Sequence, residues 1–196
     1  MVAVKDLECQ QFDIMTAFLN AFVQKYKIFV EQPHGFEESG HETLVCLLLR
    51  ALYGLKQSPL LWYDELTAFL RSIGLAPTIS DPCLFIHPDT NAYVLVYVDD
   101  LLIIATTIAI VDQIAMLLGQ RYSLKKLGNV SWFLGCRIIR DRKARKIWIL
   151  QDAYIANMAK KFGIECRKRF TLMKSTMVFR KASDGYTVLK KLRYYY

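Results

Sequence analysis

Residues 93–104 read Y-V-L-V-Y-V-D-D-L-L-I-I, two apolar stretches of strand length with Asp99 and Asp100 between them. Two adjacent charges inside an apolar run are costly to bury unless they find partners. The simplest arrangement is a tight β-hairpin with both aspartates at its tip, so that the strands bury their apolar faces and the tip projects into a cleft. The stretch therefore predicts an antiparallel hairpin that presents two carboxylates. An ordinary Asp-rich turn is the alternative.

The segments around this hairpin predict an α+β domain. An antiparallel sheet with helices packed on one face accounts for their order. The expected elements are a strand leading into a helix over 12–20, a strand or a short buried helix over 44–52, a helix from Ser58 and Pro59 to Gly74, a strand over 83–86, a helix over 108–122, a loop over 124–128, a hairpin of 132–140 with 146–150, and a helix over 151–162.

The charges divide the chain into two unlike halves. Residues 1–119 hold 6 Lys and Arg against 14 Asp and Glu, whereas residues 120–196 hold 20 against 4. A basic half favours a polyanionic partner such as nucleic acid. An acidic half suits carboxylates that serve metal ions. Two solvated surfaces account for the same numbers, so charge alone leaves both interpretations open.

Composition excludes several other classes of protein. The 196 residues are 54% hydrophobic and 22% charged, which rules out wholesale disorder. The five cysteines include no C-x-x-C pair, and charged residues interrupt the start of the chain. We therefore expect a reducing compartment without a disulfide framework, a structural zinc site or a signal peptide. The uncharged residues 101–111 are too few to span a bilayer, so no membrane partner is expected.

Asp13 is a third acidic residue in an apolar setting, between Phe12 and Ile14. If its strand lies beside the hairpin, three carboxylates converge, and Mg²⁺ takes such ligands together with substrate phosphates. Two such ions about 4 Å apart can activate a 3′-hydroxyl and stabilise a pyrophosphate leaving group. Taken alone, Asp13 is more typical of an exposed or capping aspartate.

Residues 97–100, Y-V-D-D, resemble the Y-x-D-D motif of reverse transcriptases. Their surroundings resemble the copia-type LTR retrotransposons in particular. Residues 12–20, F-D-I-M-T-A-F-L-N, resemble that family's D-V-K-T-A-F-L-N, and residues 52–59, L-Y-G-L-K-Q-S-P, resemble its L-Y-G-L-K-Q-A-P. Further matches, in order, are E-Q-P-x-G-F at 31–36, D-P-C at 81–83, L-G at 127–128 and F-L-G at 133–135.

The resemblance implies the fold of a polymerase palm, with partial fingers and the start of a thumb, over residues 1–165. Residues 166–196 are then a basic C-terminal tail that matches the start of a connection region poorly. Fingers residues before the first Asp motif, the connection and an RNase H region are missing relative to the family. We therefore expect a truncated fragment of a larger polyprotein.

The resemblance also implies a metal site. Asp13, Asp99 and Asp100 match the catalytic triad that binds two Mg²⁺ ions, for which Mn²⁺ can substitute. Phe18 matches the bulky residue that excludes a ribose 2′-hydroxyl, although a core aromatic is the simpler role for it. Lys125 matches a lysine proposed to protonate pyrophosphate as general acid, with Lys126 adjacent to it.

The remaining matches concern substrates. Tyr53, Gly54 and Gln57 match a segment that lines the nucleotide. The resemblance assigns Lys56 to a template or primer phosphate, and an ordinary solvated lysine is the alternative for it. It assigns Trp132, Phe133 and Gly135 to the primer end, and a core role is equally compatible with the two aromatic residues. The implied partners are an RNA template, a DNA primer, their hybrid and a dNTP. The basic half would track duplex phosphates. The implied location is cytoplasmic retrotransposon particles, with a nuclear stage after entry.

Three hypotheses follow. The first is RNA-directed DNA polymerase chemistry with two Mg²⁺ ions. The second is a catalytically inactive nucleic-acid-binding remnant of the element, motivated by the basic half and the missing fingers. The third is a different two-metal enzyme such as a nuclease, against which the segment 54–59 and Phe18 argue.

Overall fold

A computed structural model describes residues 1–23, 27–41 and 43–163. The hairpin anticipated around residues 93–104 lies inside an antiparallel sheet of six strands. In chain order the elements are β1 (Glu8–Ile14), a 3₁₀ turn (Ala17–Asn20), β2 (Phe29–Glu31), β3 (Val45–Leu47), α1 (Ser58–Ser72), β4 (Ala76–Pro77), β5 (Leu84–Ile86), β6 (Tyr93–Tyr97), β7 (Asp100–Ala105), α2 (Ile108–Arg121), β8 (Leu124–Asn129), β9 (Trp132–Phe133), β10 (Cys136–Asp141), β11 (Lys146–Leu150) and α3 (Asp152–Lys161).

The order of strands in the large sheet is β4-β5-β6-β7-β1-β8, so β1 lies between β7 and β8 although 85 or more residues separate it from either. Burial alternates at the end of β1: Phe12 and Ile14 are buried, whereas Asp13 is half-buried on the opposite face. Because cross-strand partners share a face, Asp13 lies on the same face as its partner Asp100. The sheet thus has one apolar and one carboxylate-bearing face at this end.

Helices α1 and α2 cover the apolar face. Pro59 fits the first turn of α1, where its missing N–H costs no hydrogen bond, and Trp62, Leu66 and Leu70 recur at helical spacing and are buried. The Thr107 hydroxyl accepts a bond from the Ile110 N–H and caps α2. The predicted antiparallel sheet with helices on one face is confirmed.

Two smaller sheets are formed by strands that come before α1 and after β8 in the chain. Strands β2 and β3 pair with each other, and β9, β10 and β11 form a three-stranded sheet in the order β11-β10-β9. The turn between β9 and β10 consists of Leu134 and Gly135, both with positive φ, which is the twist that two-residue hairpins favour. Residues 132–140 are therefore two strands joined by a turn rather than one strand, and the predicted hairpin of this region with 146–150 is formed by β10 and β11.

Two further expectations fail. Residues 124–128 were expected to be a loop, but they belong to β8, an edge strand whose lysines and glycine have low strand propensity. The apolar run 44–52 was expected to be a strand or a short buried helix throughout, but only Val45–Leu47 form a strand, and all three residues are exposed.

Residues Met1–Ile155 form one compact unit, and Ala156 begins a second, of which the structure describes only the rest of α3. The predicted tail over 166–196 lies outside the described residues. Four cysteines in the described ranges, Cys9, Cys46, Cys83 and Cys136, are free thiols. Among the described helices, none is long and apolar enough to cross a membrane.

Candidate active site

The turn between β6 and β7 presents the two adjacent aspartates. Tyr97 pairs with Asp100, so Val98 and Asp99 form a two-residue turn and Asp100 is already the first residue of β7. The expectation that both aspartates occupy the tip is therefore half right. Val98 takes a φ of +56°, a conformation that costs a β-branched residue roughly 1–3 kcal/mol. Such strain persists only where surrounding contacts hold it.

Contacts from two other elements hold this turn. The Ile14 N–H of β1 donates to the Asp99 carbonyl at 2.8 Å. The indole Nε1 of Trp62, on α1, donates to the Val98 carbonyl at 2.7 Å. Trp62 is 2% exposed and packs edge-on against Tyr122 with ring centroids 5.3 Å apart. The turn is thus fixed from both the sheet and the helix layer.

The third carboxylate is brought to this turn by strand pairing. Asp13 is the cross-strand partner of Asp100 in β7 and of Lys125 in β8. Burial raises the pKa of the Asp13 carboxyl, the negative charges of Asp99 and Asp100 raise it further, and the Lys125 ammonium lowers it. Three carboxylates therefore interact electrostatically at one corner of the sheet, with one cation beside them.

The side chains themselves are not gathered around one point. Among the described residues, no three His, Cys, Asp or Glu side chains stand close enough together to hold a metal ion. One oxygen of Asp100, Oδ1, accepts a bond at 3.3 Å from the Gln11 amide, which lies two residues before Asp13 on the same face of β1. Gln11 was not predicted as a site residue, although its alternation with Asp13 was a signal for it.

The lysine pair that follows α2 is separated by the pleat of β8. Lys126 donates to Asp112 of α2 at 2.8 Å, so it lies on the helix side of the sheet. Lys125, its neighbour, points the other way and shares its register position with Asp13. This geometry separates the two lysines that the sequence left adjacent and puts Lys125 beside the carboxylates.

Two aromatic residues predicted to meet the nucleotide contact each other. The Phe18 and Tyr53 ring centroids lie 4.5 Å apart, with Phe18 8% exposed in the core and Tyr53 exposed. Burial raises the pKa of the Tyr53 phenol, as do the charges of Asp99 and Asp13, while backbone hydrogen bonds from Ala17 and Phe18 lower it. The aromatic pair therefore lies within electrostatic reach of the carboxylates.

The segment between Tyr53 and α1 is open to solvent. Gly54 has a φ of +93°, and a Cβ there would meet no atom within 4 Å, so backbone conformation rather than crowding favours glycine. Lys56 is exposed and Gln57 is half-buried at the N-cap of α1. Neither side chain is brought against the three carboxylates by a described contact.

The residues predicted to hold the primer lie on β9 and its turn. Trp132 is half-exposed, Phe133 is buried and Gly135 is exposed in the turn with a φ of +77°. The core role is therefore the observed one for Phe133, and Trp132 is open to a partner. No described contact joins this turn to Asp13, Asp99 or Asp100.

Ion pairs with acidic residues of the same chain neutralise part of the positive charge of residues 120–196. Arg140 and Arg142 bind Asp6, Arg142 also binds Glu8, and Arg137 pairs with Asp152. These arginines were expected to face nucleic-acid phosphates together with the rest of the basic half. Lys125, Lys143 and Lys146 are exposed. Of the 20 basic residues after position 119, those beyond 163 lie outside the described residues.

A family model described as reverse transcriptase (RNA-dependent DNA polymerase) matches residues 1–174. The chain belongs to this reverse transcriptase family. Over 171 residues, 86% of the chain, it is 36% identical to the Retrovirus-related Pol polyprotein from transposon TNT 1-94 of Nicotiana tabacum. It is 37% identical over 128 residues, 64% of the chain, to the corresponding polyprotein from transposon RE2 of Arabidopsis thaliana.

A shorter relative is the putative transposon Ty5-1 protein YCL074W of Saccharomyces cerevisiae, 37% identical over 158 residues, or 80% of the chain. The matches cover 13% of the TNT 1-94 polyprotein, 9% of the RE2 polyprotein and 51% of the yeast protein. The predicted resemblance to copia-type elements is thus confirmed. By family this reverse transcriptase domain is an RNA-directed DNA polymerase, and the family acts on nucleic acid with divalent metals.

Proposed function

We propose that this domain is the polymerase palm of a retrotransposon Pol polyprotein, with part of the fingers and the start of the thumb, and that it extends a DNA primer on an RNA template. The observation that carries the proposal is the pairing of Asp13 with Asp100, next to a turn in which Asp99 is bonded to β1. Strand pairing alone brings Asp13 to the corner that holds Asp99 and Asp100, which lie 86 and 87 positions later in the sequence.

The donor chemistry of this corner fits Mg²⁺. Carboxylate oxygens are the ligands that this ion prefers, and a divalent cation would neutralise the charges of Asp99 and Asp100, which, after burial, raise the pKa of Asp13. Asp13, Asp99 and Asp100 would hold the ions. Two Mg²⁺ ions bound there would lower the pKa of the primer 3′-hydroxyl and neutralise charge on the departing pyrophosphate.

The neighbouring side chains supply selection and proton transfer. The Phe18 ring, fixed against Tyr53, would collide with a ribose 2′-hydroxyl and so favour deoxynucleotides. Gly54 lets the backbone approach the nucleotide, and Gln57 at the start of α1 would contact it. Lys125, beside Asp13, would give a proton to pyrophosphate as general acid.

Contacts with the duplex would be electrostatic and independent of sequence. Exposed Trp132 and Gly135 would contact the primer end, and Lys56 would contact a template phosphate. The exposed Lys143 and Lys146 near the β10–β11 turn would add to phosphate binding. Binding of this kind weakens steeply as salt rises, because each phosphate contact releases counterions.

The test is primer extension on an RNA template with a DNA primer, in Mg²⁺ or Mn²⁺, comparing wild type with Asp100→Asn. We expect Asp100→Asn to reduce incorporation by at least about 100-fold, because it removes a charge aimed at the transition state. Asp64→Asn on the exposed side of α1 is the matched control and should keep full activity. Equal incorporation by wild type and Asp100→Asn would overturn the proposal.

Two further outcomes identify the competing functions. Salt-dependent binding of the hybrid by a folded chain that incorporates no nucleotide would indicate an inactive nucleic-acid-binding remnant. Magnesium-dependent degradation of a labelled strand, lost in Asp99→Asn, would indicate a nuclease. The first outcome excludes polymerase chemistry for this chain, and the second does so when the chain also incorporates no nucleotide.

A further inference from the structure

The turn that carries Asp99 is held by a hydrogen bond from Trp62, a residue outside the sequence matches given above. A single residue, Asp99, lies between two peptide planes, and each plane is anchored by a different element. The plane between residues 98 and 99 contains the Val98 carbonyl, which accepts the Trp62 indole N–H at 2.7 Å. The plane between residues 99 and 100 contains the Asp99 carbonyl, which accepts the Ile14 N–H at 2.8 Å.

Fixing both planes fixes the direction of the Asp99 side chain. The orientation of one plane sets φ at Asp99 and that of the other sets ψ, since a residue has only these two soft backbone dihedrals. The Cα–Cβ bond then leaves the backbone in one direction. The Ile14 anchor belongs to the β1 backbone, so every sequence that forms the sheet makes it, whereas the Trp62 anchor depends on one side chain.

The need for this anchor follows from strain. Val98 holds a φ of +56° in a position where two-residue hairpins with this geometry usually place glycine. A valine there relaxes unless its peptide is held, because strained backbone persists only where its surroundings over-determine it. The bond from Trp62 acts on the carbonyl of that same residue, and the buried position of the indole removes water as a competing donor.

We propose that Trp62 is a positioning residue for the reaction: its indole N–H, delivered from α1 through the core, holds the Val98 peptide in its strained conformation and thereby aims the Asp99 carboxylate. The carboxylate is the group that touches the metal, and Trp62 acts only through the turn. The catalytic part of this inference rests on the proposed polymerase function. The structural part, that Trp62 holds the turn, does not.

The structural part is tested by amide hydrogen exchange at residues 98–100, measured by NMR. Trp62→Phe keeps an aromatic ring in the core and removes the donor. Replacement of Trp62 by 3-benzothienylalanine, an isostere of tryptophan, keeps the size of the indole and exchanges only the N–H for sulfur. This isostere is the variant to measure if Trp62→Phe does not fold. We expect faster exchange at the Asp99 and Asp100 amides, confined to the turn. Unchanged exchange in the isostere would overturn the inference, whether or not the chain polymerises.

The catalytic part is tested by steady-state primer extension with the same variants. We expect kcat to fall by about tenfold or more, because a misplaced reacting group is costly, together with a higher Mg²⁺ requirement and an unchanged KM for the template–primer. Tyr122→Phe is the matched control, since Tyr122 packs on the Trp62 ring while the bond to Val98 comes from Trp62 itself. A kcat and Mg²⁺ requirement equal to wild type in the isostere would overturn the inference.

These readouts separate the two proposals. A wild-type chain that incorporates no nucleotide while the isostere still accelerates exchange at the turn refutes the polymerase proposal and supports the structural role of Trp62. A wild-type chain that polymerises, with an isostere that behaves identically, refutes the role of Trp62 and leaves the polymerase proposal intact.

Discussion

The negative charges that act on Asp13 come from a neighbouring hairpin and not from its own strand. Its pKa is raised by burial first and by the charges of Asp99 and Asp100 next, with Lys125 as the opposing influence. A carboxylate whose pKa is raised in the folded state destabilises the fold when it is ionised. Ionised Asp13 therefore lowers the stability of this corner of the sheet.

The first prediction concerns Asp13→Asn. The destabilisation by Asp13 is absent below its ordinary pKa of 3.8 and grows as pH rises through the raised folded-state pKa. We therefore expect Asp13→Asn, without metal, to raise Tm by about 2 °C at pH 7, with the difference vanishing toward pH 3. Differential scanning fluorimetry at both pH values measures this.

The same melting experiment is repeated with Mg²⁺ present. Because ligands that bind only the folded state stabilise it, Mg²⁺ should raise the Tm of wild type more than that of Asp13→Asn. Asp64→Asn, which removes an exposed carboxylate of α1, should respond like wild type. A lower Tm for Asp13→Asn at pH 7 without metal would contradict the expected repulsion.

At the scale of elements, the β10–β11 hairpin is tied to the start of the chain by arginines. Arg142 donates to both Glu8 oxygens at 2.8 and 3.0 Å and to Asp6 at 3.0 Å, and Arg140 donates to Asp6 at 2.8 Å. Arg145 donates to the Val4 carbonyl at 2.8 Å. Single exposed ion pairs contribute little, but a bidentate pair inside a network is the favourable case.

We expect Arg142→Ala to loosen this hairpin without unfolding the large sheet. Amide exchange in β10 and β11 should be severalfold faster than in wild type, while exchange in β6 and β7 should stay unchanged. Lys143→Ala, an exposed position in the same turn, is the control. Identical exchange in Arg142→Ala and Lys143→Ala would show that the network does not hold the hairpin.

The pH dependence of this effect has a definite sign. Hydrogen bonds from Arg142 lower the pKa values of Asp6 and Glu8 below their ordinary values of 3.8 and 4.5. Carboxylates with lowered pKa values stabilise the fold at neutral pH, and that stabilisation is lost as pH falls through the folded-state values. The difference in amide exchange in β10 and β11 between wild type and Arg142→Ala should therefore shrink below about pH 4.

Elements with strong local signals were predicted well. The helix begun by Pro59 and the hairpin of β6 and β7 follow from side-chain period and turn position. Strand β8 was missed because its Lys125, Lys126 and Gly128 are poor strand formers, and only pairing with β1 makes it a strand. For the same reason only the family resemblance, and no local pattern, pointed to Lys125 as a neighbour of the carboxylates.

The site shows the same division between local and tertiary information. The Asp99 and Asp100 pair stands out in sequence because charge interrupts an apolar run. Trp62 looks like an ordinary buried helix residue, since its spacing with Leu66 and Leu70 accounts for it fully. Its bond to Val98, 36 residues away, depends on how α1 packs on the sheet, and no local pattern carries that information.

At the scale of the whole molecule, apolar side chains cluster on the surface around β2 and β3. Phe29, Leu44, Val45, Leu47 and Leu49 are all about half-exposed or more, with Leu49 at 68%. A contiguous exposed apolar patch on a short two-stranded sheet promotes association between copies. Solubility of the isolated chain should therefore be limited by this patch rather than by its core.

We expect Leu49→Lys to raise severalfold the concentration at which the chain self-associates, measured by sedimentation velocity, with little change in Tm. The lysine adds charge to the patch and removes no buried contact. Met116→Lys, at an exposed apolar residue of α2 away from the patch, is the control and should not alter association. Equal effects of the two substitutions would mean that net charge, not the patch, governs association.

The central position of β1 also has a consequence for synthesis on the ribosome. Gln11 of β1 bonds to a residue 89 positions later, and Gln10 to one 119 positions later. At a translation rate of about 5–20 residues per second, roughly 6–24 seconds pass between the synthesis of β1 and that of β8, its second neighbour in the sheet. During that interval at least one edge of β1 lacks its partner strand. Translation speed and chaperone supply in the host cell therefore influence how much of this domain reaches its native state.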